Sequence, residues 1–86
     1  MRVQAEVSLY PLRTHHLGKP IERFVETLKE HELRISVGAM STCVEGEDER
    51  VFAALQKAFA QVAEEQQTVL LVKLSNACPT GGHQSG

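Results

Sequence analysis

The sequence predicts an α+β domain of ferredoxin-like order, βαββαβ, in which a four-stranded antiparallel sheet carries two helices on one face. Four segments have the alternating or continuous apolar pattern of strands, and two longer segments place apolar residues at helical spacing. The chain has 86 residues, which is enough for one domain with a modest core. Right-handed crossovers between the strands would bring both helices to the same face.

The first strand and the first helix have clear signals. Residues 2–10 alternate apolar and polar side chains, which indicates a strand with one buried face. Pro11 ends this strand because proline has no N–H for the ladder. A loop over residues 13–19 follows, and Pro20 suits the first turn of a helix. Apolar residues then recur at helical spacing, and we expect the helix to end near His31.

The second and third strands are predicted in quick succession. Residues 33–37 alternate as a strand, and residues 38–40 form a short turn. Residues 41–45 form the third strand, which Gly46 is expected to end. In the predicted sheet the first and third strands lie in the centre, and the fourth strand lies beside the first.

A second helix and a fourth strand complete the domain. Glu47 and Asp48 open the helix, where negative charge favours the N-terminal dipole. The predicted apolar stripe of this helix is Val51, Phe52, Leu55, Ala58, Phe59 and Val62. Residues 68–75 form the last strand. We expect the domain to cover residues 1–79 and the glycine-rich residues 80–86 to be a flexible tail.

Composition narrows the classes of function. The net charge of −2 and the pI of about 6.0 argue against a nucleic-acid binder. The sequence has no apolar run near the roughly 20 residues that span a membrane, and its alternating start does not resemble a signal peptide. We therefore expect a cytoplasmic protein without membrane insertion. Cys43 and Cys78 are too few for a disulfide framework and should be free thiols.

Catalytic and metal motifs are missing from the sequence. His15 and His16 are adjacent and do not present two imidazoles on one helix face, so they are interpreted as loop residues. Cys43 and Cys78 do not form a CxxC pair, and no metal site is predicted. The sequence contains no phosphate-binding glycine motif and no convincing nucleophile–base pair, so no enzyme activity is predicted.

Two polar segments are candidates for a binding site. Residues 41–47 carry hydroxyl groups and run into carboxylates, and residues 75–79 end the last strand with hydrogen-bonding groups. Ser8 and Tyr10 end the first strand, and these groups are expected to converge near one edge of the open sheet face. A second interpretation is that they only decorate an exposed sheet and a turn.

The same segments resemble the YkoF-like thiamine-binding family. The specific stretches are STCVEGE over residues 41–47 and SNACP over residues 75–79, and weaker similarity lies in residues 5–12 and 51–55. The resemblance implies a ferredoxin-like fold that binds thiamine or its hydroxymethylpyrimidine moiety, without an established catalytic step, in uptake or salvage of the vitamin. Some members carry two such domains in one chain, so a single-domain member is expected to associate.

The chemistry of thiamine fits a set of candidate ligand-binding residues in these segments and at the end of the first strand. They are Ser8, Tyr10, Met40, Ser41, Thr42, Glu47 and Asn76. Hydroxyl and amide groups can pair with the aminopyrimidine edges, Glu47 can face the cationic thiazolium, and Tyr10 can stack on a ring. No cofactor is expected, because thiamine itself is the ligand.

Two other functions stay open at this point. The chain can be a structural or regulatory module that associates through its open sheet face, because that face has no cover within the domain. A small enzyme that acts on thiamine precursors is the third hypothesis. Whichever function applies, we expect a homodimer or a homotetramer, since a domain of this size has little core of its own.

Overall fold

The computed structural model of the protein describes residues 1–15 and 18–77, and its elements follow the predicted order. The elements are β1 (Arg2–Pro11), α1 (Gly18–Lys29), β2 (Arg34–Val37), β3 (Thr42–Glu47), α2 (Asp48–Ala63) and β4 (Thr68–Ser75). The predicted limits of β4 are confirmed residue for residue. The predicted tail, Cys78 and His16 lie outside the described residues.

The four strands form one antiparallel sheet in the order β2-β3-β1-β4, which confirms the ferredoxin-like prediction. β1 is central and pairs with both β3 and β4. Val7 of β1 lies opposite Thr42 at the start of β3, and Arg2 lies opposite Glu47 at its end. Since β1 is antiparallel to both neighbours, β3 and β4 run in the same direction.

The core lies between the helices and one face of the sheet. Its buried apolar residues are Val3, Ala5, Val7, Phe24, Val25, Leu28, Val44, Val51, Ala54, Leu55, Ala58 and Val62. Alternate β1 residues reach this core because side chains of a strand point to opposite faces. The burial of Val3, Ala5 and Val7 therefore confirms the predicted inward face of β1.

The buried stripe of α2 differs from the predicted one at its two phenylalanines. Phe52 is exposed and Phe59 is half-buried, whereas Ala54 is fully buried. The stripe Val51, Leu55, Ala58 and Val62 follows the three- and four-residue spacing of one helix face. Phe52 lies one residue, or about 100°, away from Val51, so its ring points toward solvent.

Gly46 does not end β3, and the prediction that it would do so is wrong. The residue is buried inside the strand, opposite Val3 of β1. A Cβ atom at this position would lie 2.5 Å from Cδ2 of Leu33. The glycine therefore provides room for Leu33 to pack on the sheet, and β3 continues to Glu47.

The two helices are also joined by polar contacts. The hydroxyl of Thr27 in α1, which is buried, donates to Oε1 of Gln61 in α2 at 2.6 Å. Arg23 of α1 forms an ion pair with Glu65 at 2.6 Å, but both side chains are about half exposed. Exposed pairs of this kind contribute little, so the buried hydroxyl contact is the stronger link.

The second face of the sheet carries no helix. Glu6, Ser8 and Tyr10 of β1 lie on it, and in the register they are opposite Lys73, Leu71 and Val69 of β4. The open face is therefore polar near the middle of the sheet, at Glu6 and Lys73. It is more apolar toward the end of β1, at Tyr10 and Val69. Within the described residues, neither helix is long and apolar enough to cross a membrane.

Candidate ligand-binding site

A cavity of about 110 Å³ lies between α1 and the turn that joins β2 to β3. It is at the end of the sheet where β1 finishes and β3 starts. Its apolar wall consists of Val7, Ile21, Phe24, Val25 and Val37. The turn, residues 38–41, closes the other side.

Three residues with hydroxyl groups line this cavity, but Ser8 and the partner of Ser41, Glu6, lie on the open face of the sheet, so the hydroxyl on the helix side is that of Thr42. Ser8 donates to the carbonyl oxygen of Met40 at 3.5 Å, and Ser41 donates to Oε2 of Glu6 at 3.0 Å. Thr42 is buried on the helix side of the sheet, where its register partner is Val7. Its hydroxyl forms no hydrogen bond with the described part of the chain, so it is available to a ligand.

Four of the seven predicted site residues therefore lie together: Ser8, Met40, Ser41 and Thr42. Tyr10 belongs to the same end of the sheet but not to the cavity. It lies on the open face opposite Val69, and half of its surface is exposed. Its ring is thus accessible from the uncovered side of the sheet.

Glu47 and Asn76 lie at the opposite end of the sheet. Glu47 accepts a hydrogen bond from the amino group of Met1 at 3.0 Å, and Nδ2 of Asn76 lies 3.3 Å from the sulfur of Met1. Along β1 this end is five residues from Val7, or about 17 Å at the usual rise of a strand. The structure does not bring these two residues to the cavity.

The expectation that all the polar groups converge at one edge is therefore wrong. β3 and β4 run in the same direction on either side of β1. The start of one and the end of the other must then lie at opposite ends of the sheet. Thr42 begins β3, whereas Ser75 ends β4, so the hydroxyl groups of the first segment are separated from the second segment by the length of the strands, and only Glu47 lies at the same end as Ser75.

The sequence analysis did not identify the helix residues that line the cavity. Ile21 and Phe24 had the spacing of core residues, and Val37 had the position of an ordinary strand residue. Ile21 is 38% exposed, although it lies on the same side of α1 as the buried Val25 and Leu28. An incompletely buried residue within an apolar stripe marks a gap in packing, but this signal is only visible once the fold is known.

Two groups with shifted pKa values lie at the end of the sheet that contains Glu47. The ammonium of Met1 is held by Glu47 and by Oδ1 of Asp48, which is 3.2 Å away. Hydrogen bonds to these carboxylates raise the pKa of the amino group above its ordinary value of 8.0. The hydrogen bond from the ammonium lowers the pKa of Asp48 below its ordinary value of 3.8. These contacts fix the start of β1 against the start of α2.

A second recess, of about 300 Å³, lies on the open face. Glu6 and Lys73 form an ion pair there at 3.6 Å, and the free thiol of Cys43 is half-buried beside Glu6. The described residues contain no group of three or more His, Cys, Asp or Glu side chains that could hold a metal ion. None of the seven predicted site residues lines this recess.

The fold and the cavity define a ferredoxin-like domain with a small recess between its first helix and its sheet. Within this class, residues 5–77 match the family described as thiamine-binding protein, and the chain belongs to that family. The relationship inferred from the sequence motifs is thereby confirmed. The match includes every strand and both helices, apart from the first three residues of β1.

A curated relative has recognisable sequence identity. UPF0045 protein MJ1052 of Methanocaldococcus jannaschii is 31% identical over 62 residues, which cover 71% of this chain and 62% of that protein. The sequence alignment thus spans somewhat less than two thirds of the relative's length. Its crystal structure matches with a TM-score of 0.82 at 24% identity, covering 98% of this chain and 87% of the other.

Two further solved structures have the same fold. A Thermotoga maritima protein, TM0486, provisionally assigned to thiamine biosynthesis or salvage, matches with a TM-score of 0.80 at 21% identity, covering 98% of this chain and 90% of its own. A Bacillus cereus domain of unknown function, DUF77, gives a TM-score of 0.78 at 21% identity, with coverages of 98% and 83%. At such identities these similarities establish the fold alone.

Proposed function

We propose that this protein binds thiamine, or its hydroxymethylpyrimidine moiety, without catalysing a reaction, and that it serves uptake or salvage of the vitamin. Membership of the thiamine-binding protein family supports a role linked to thiamine. The observation that carries the choice of site is the cavity beside α1, which collects four of the residues expected from the sequence. The proposed site is this cavity.

The chemistry of the cavity suits the pyrimidine half of the vitamin. An aminopyrimidine has adjacent donor and acceptor groups at its edge and an apolar face. A hydroxyl group can donate and accept, so that of Thr42, on the helix side of the sheet, can pair with either kind of edge atom. Phe24 and Ile21 provide apolar surface for the ring. Small-molecule sites generally combine apolar walls with a few fixed polar groups in this way.

The size of the cavity favours one ring rather than the whole vitamin. The cavity, at about 110 Å³, is smaller than an apolar protein cavity of roughly 150 Å³ that accepts benzene, so a pyrimidine ring would fill it and extend past its entrance. The thiazolium would then remain at the entrance, next to Met40, which is 88% exposed. Glu6, which accepts the hydrogen bond from Ser41, is a carboxylate beside this turn that could attract the cationic ring.

The side chains around the cavity support binding over catalysis. The described residues that line it are apolar or carry hydroxyl groups, and they include no histidine, cysteine, carboxylate or ammonium. General acid–base catalysis needs a titratable group within hydrogen-bonding reach of the reacting atom. A cavity with hydroxyl groups alone can orient a pyrimidine but has no evident means of moving a proton.

The proposal is tested by calorimetric titration with thiamine, its pyrimidine half and its thiazole half. Thr42→Val keeps the shape of the side chain and removes the hydroxyl. If the ligand leaves a buried group unpaired in this variant, affinity should fall by about 1–3 kcal/mol, roughly 5- to 150-fold in Kd. Phe52→Ala, an exposed position on α2, is the matched control and should bind like the parent.

Two outcomes contradict the proposal. If neither thiamine nor its pyrimidine half binds at millimolar concentration, the thiamine role fails and the interaction-module hypothesis gains. If ligand binds but Thr42→Val has the parent's affinity while Asn76→Ala loses it, the site lies at the Met1 end of the sheet. Tighter binding of the pyrimidine half than of the thiazole half is the expected pattern.

A further inference from the structure

A third recess, of about 220 Å³, opens between the start of α1 and the end of α2. This α1–α2 recess is bordered by Lys19 and Arg23 of α1, by Thr14 of the loop after β1, and by Gln66 of the segment after α2. Ile21 lines the cavity proposed for thiamine, and it lies two residues, or about 200° around the helix, from both Lys19 and Arg23. The two recesses therefore lie on nearly opposite sides of α1.

The α1–α2 recess is bordered by a buried hydrogen-bond donor that has no partner. Nε2 of Gln66 is buried and forms no hydrogen bond within the described residues. The backbone of this residue is fixed, since its N–H donates to the carbonyl oxygen of Val62 at 3.2 Å and its own carbonyl oxygen accepts from the hydroxyl of Thr68 at 3.3 Å. Nearly all buried polar groups are paired in folded proteins, so an unpaired one calls for an absent acceptor. The terminal torsion of glutamine is broad, and the amide can turn toward an acceptor in the recess.

Positive charge exceeds negative charge around the same recess. Lys19 forms no ion pair with the described part of the chain, so its ammonium is available to a ligand. Nη1 of Arg23 lies 2.6 Å from Oε2 of Glu65, but a guanidinium has five N–H donors and this contact leaves the others for a ligand. The first turn of α1 contains no acidic residue, so the positive end of the helix dipole is not neutralised there. These charges favour an anion.

We propose that the α1–α2 recess binds a phosphate group, either of free phosphate or of a small phosphate ester. Ammonium, guanidinium and amide donors border the recess from two elements, and a tetrahedral oxyanion has acceptor oxygens in several directions. A carboxylate offers only two oxygens in one plane. Glu65, whose side chain is 61% exposed, competes for Arg23 and can turn toward solvent when the anion binds. Since this site is on the other side of α1, its occupancy does not depend on thiamine.

Titration followed by nuclear magnetic resonance measures the binding. Inorganic phosphate and glycerol phosphate are added in parallel, and sodium chloride keeps the ionic strength constant because exposed charges are screened by salt. Both should shift the side-chain amide signals of Gln66 and the guanidinium signals of Arg23 until they saturate in the millimolar range. Tighter binding of glycerol phosphate supports an ester as the ligand, and tighter binding of inorganic phosphate supports the free anion. Acetate should bind more weakly than either.

Two pairs of variants separate local contacts from net charge. Arg23→Gln should raise the Kd for phosphate by about two- to tenfold, whereas Lys29→Gln, with the same loss of charge at the exposed end of α1, should bind like the parent. Glu65→Gln should lower the Kd by about two- to fivefold because it releases the guanidinium. Glu64→Gln, at the preceding exposed residue, is its matched control and should leave the Kd unchanged.

Gln66→Met tests the unpaired amide, because it keeps the length of the side chain and removes the donor. This variant should bind phosphate more weakly, and without phosphate it should have a higher Tm than the parent, since no unpaired buried donor remains. Circular dichroism establishes that each variant is folded. The absence of saturable shifts with both phosphates overturns the proposal, and so do equal affinities of Arg23→Gln and Lys29→Gln. A lower Tm of Gln66→Met with unchanged phosphate affinity also overturns it, because the amide would then have a structural role only.

Discussion

The two faces of the sheet are made of alternate residues of the same strands, yet they have opposite properties. On the helix-covered face, Val3, Ala5 and Val7 of β1 are at most 2% exposed. On the open face, Gln4 and Glu6 lie between them in the sequence and remain at least partly accessible. The comparison shows that one face supplies the stability of the domain, which leaves the other face and the sheet edges available for contacts with ligands or partners.

The largest effect is expected from a cavity in the covered face. Leu28 is fully buried between α1 and the sheet, and Leu28→Ala should cost about 2–5 kcal/mol of the free energy of unfolding. For a domain of this size that corresponds to roughly 10–40 °C in Tm. Urea unfolding followed by circular dichroism measures the change. Leu12→Ala, a matched change at an exposed residue, should cost less than about 0.5 kcal/mol, and equal losses in the two variants would contradict the comparison.

A smaller effect is expected at Gly46, where the covered face has no room for a side chain. Gly46→Ala places a Cβ atom against Leu33, whose side chain must shift, and should cost about 1–2 kcal/mol. Leu33→Ala removes the obstructing group. In the Leu33→Ala background the same glycine substitution should therefore cost clearly less. A double-mutant cycle from urea unfolding measures this coupling, and strictly additive effects would rule out the steric explanation.

The smallest effect is expected at the exposed end of the sheet, where the Met1 ammonium meets Asp48. The lowered pKa of Asp48 means that its contribution is present above pH 3.8 and is lost as the pH falls through the folded-state value. The raised pKa of the amino group means that its contribution is present below pH 8.0 and is lost as the pH rises through the folded-state value. Asp48→Asn should therefore lower Tm slightly between about pH 3.8 and 8.0. At acid pH, the Tm of this variant should depend less on pH than the Tm of the parent.

Thermal unfolding as a function of pH tests this last prediction in a chain with a free amino group at Met1. Glu26→Gln on the exposed side of α1 is the matched control, because it removes one carboxylate away from the ammonium. The two variants should differ only if the contact with Met1 contributes. Identical pH profiles for both would show that this ion pair adds nothing measurable, as is common for exposed pairs.

The fold followed from local patterns that survive in the tertiary structure. Alternation in β1 and helical spacing in α1 each identify a buried face without knowledge of the neighbours. The errors arose where packing overrides local preference. Gly46 has the composition of a strand end but is needed inside β3 for the approach of Leu33, and Phe52 is apolar but lies off the buried stripe of α2.

For the site, the sequence by itself determined the family and the types of polar groups that are available, because the motifs over residues 41–47 and 75–79 are local. Only the tertiary structure decided which of these groups meet. β3 and β4 run in the same direction, so Thr42 and Asn76 lie at opposite ends of the sheet, while Phe24 of α1 joins Thr42 at the cavity. The separation of Thr42 from Asn76 already follows from the predicted antiparallel order, but the packing of α1 over the start of β3 depends on contacts across the whole chain, which no local pattern specifies.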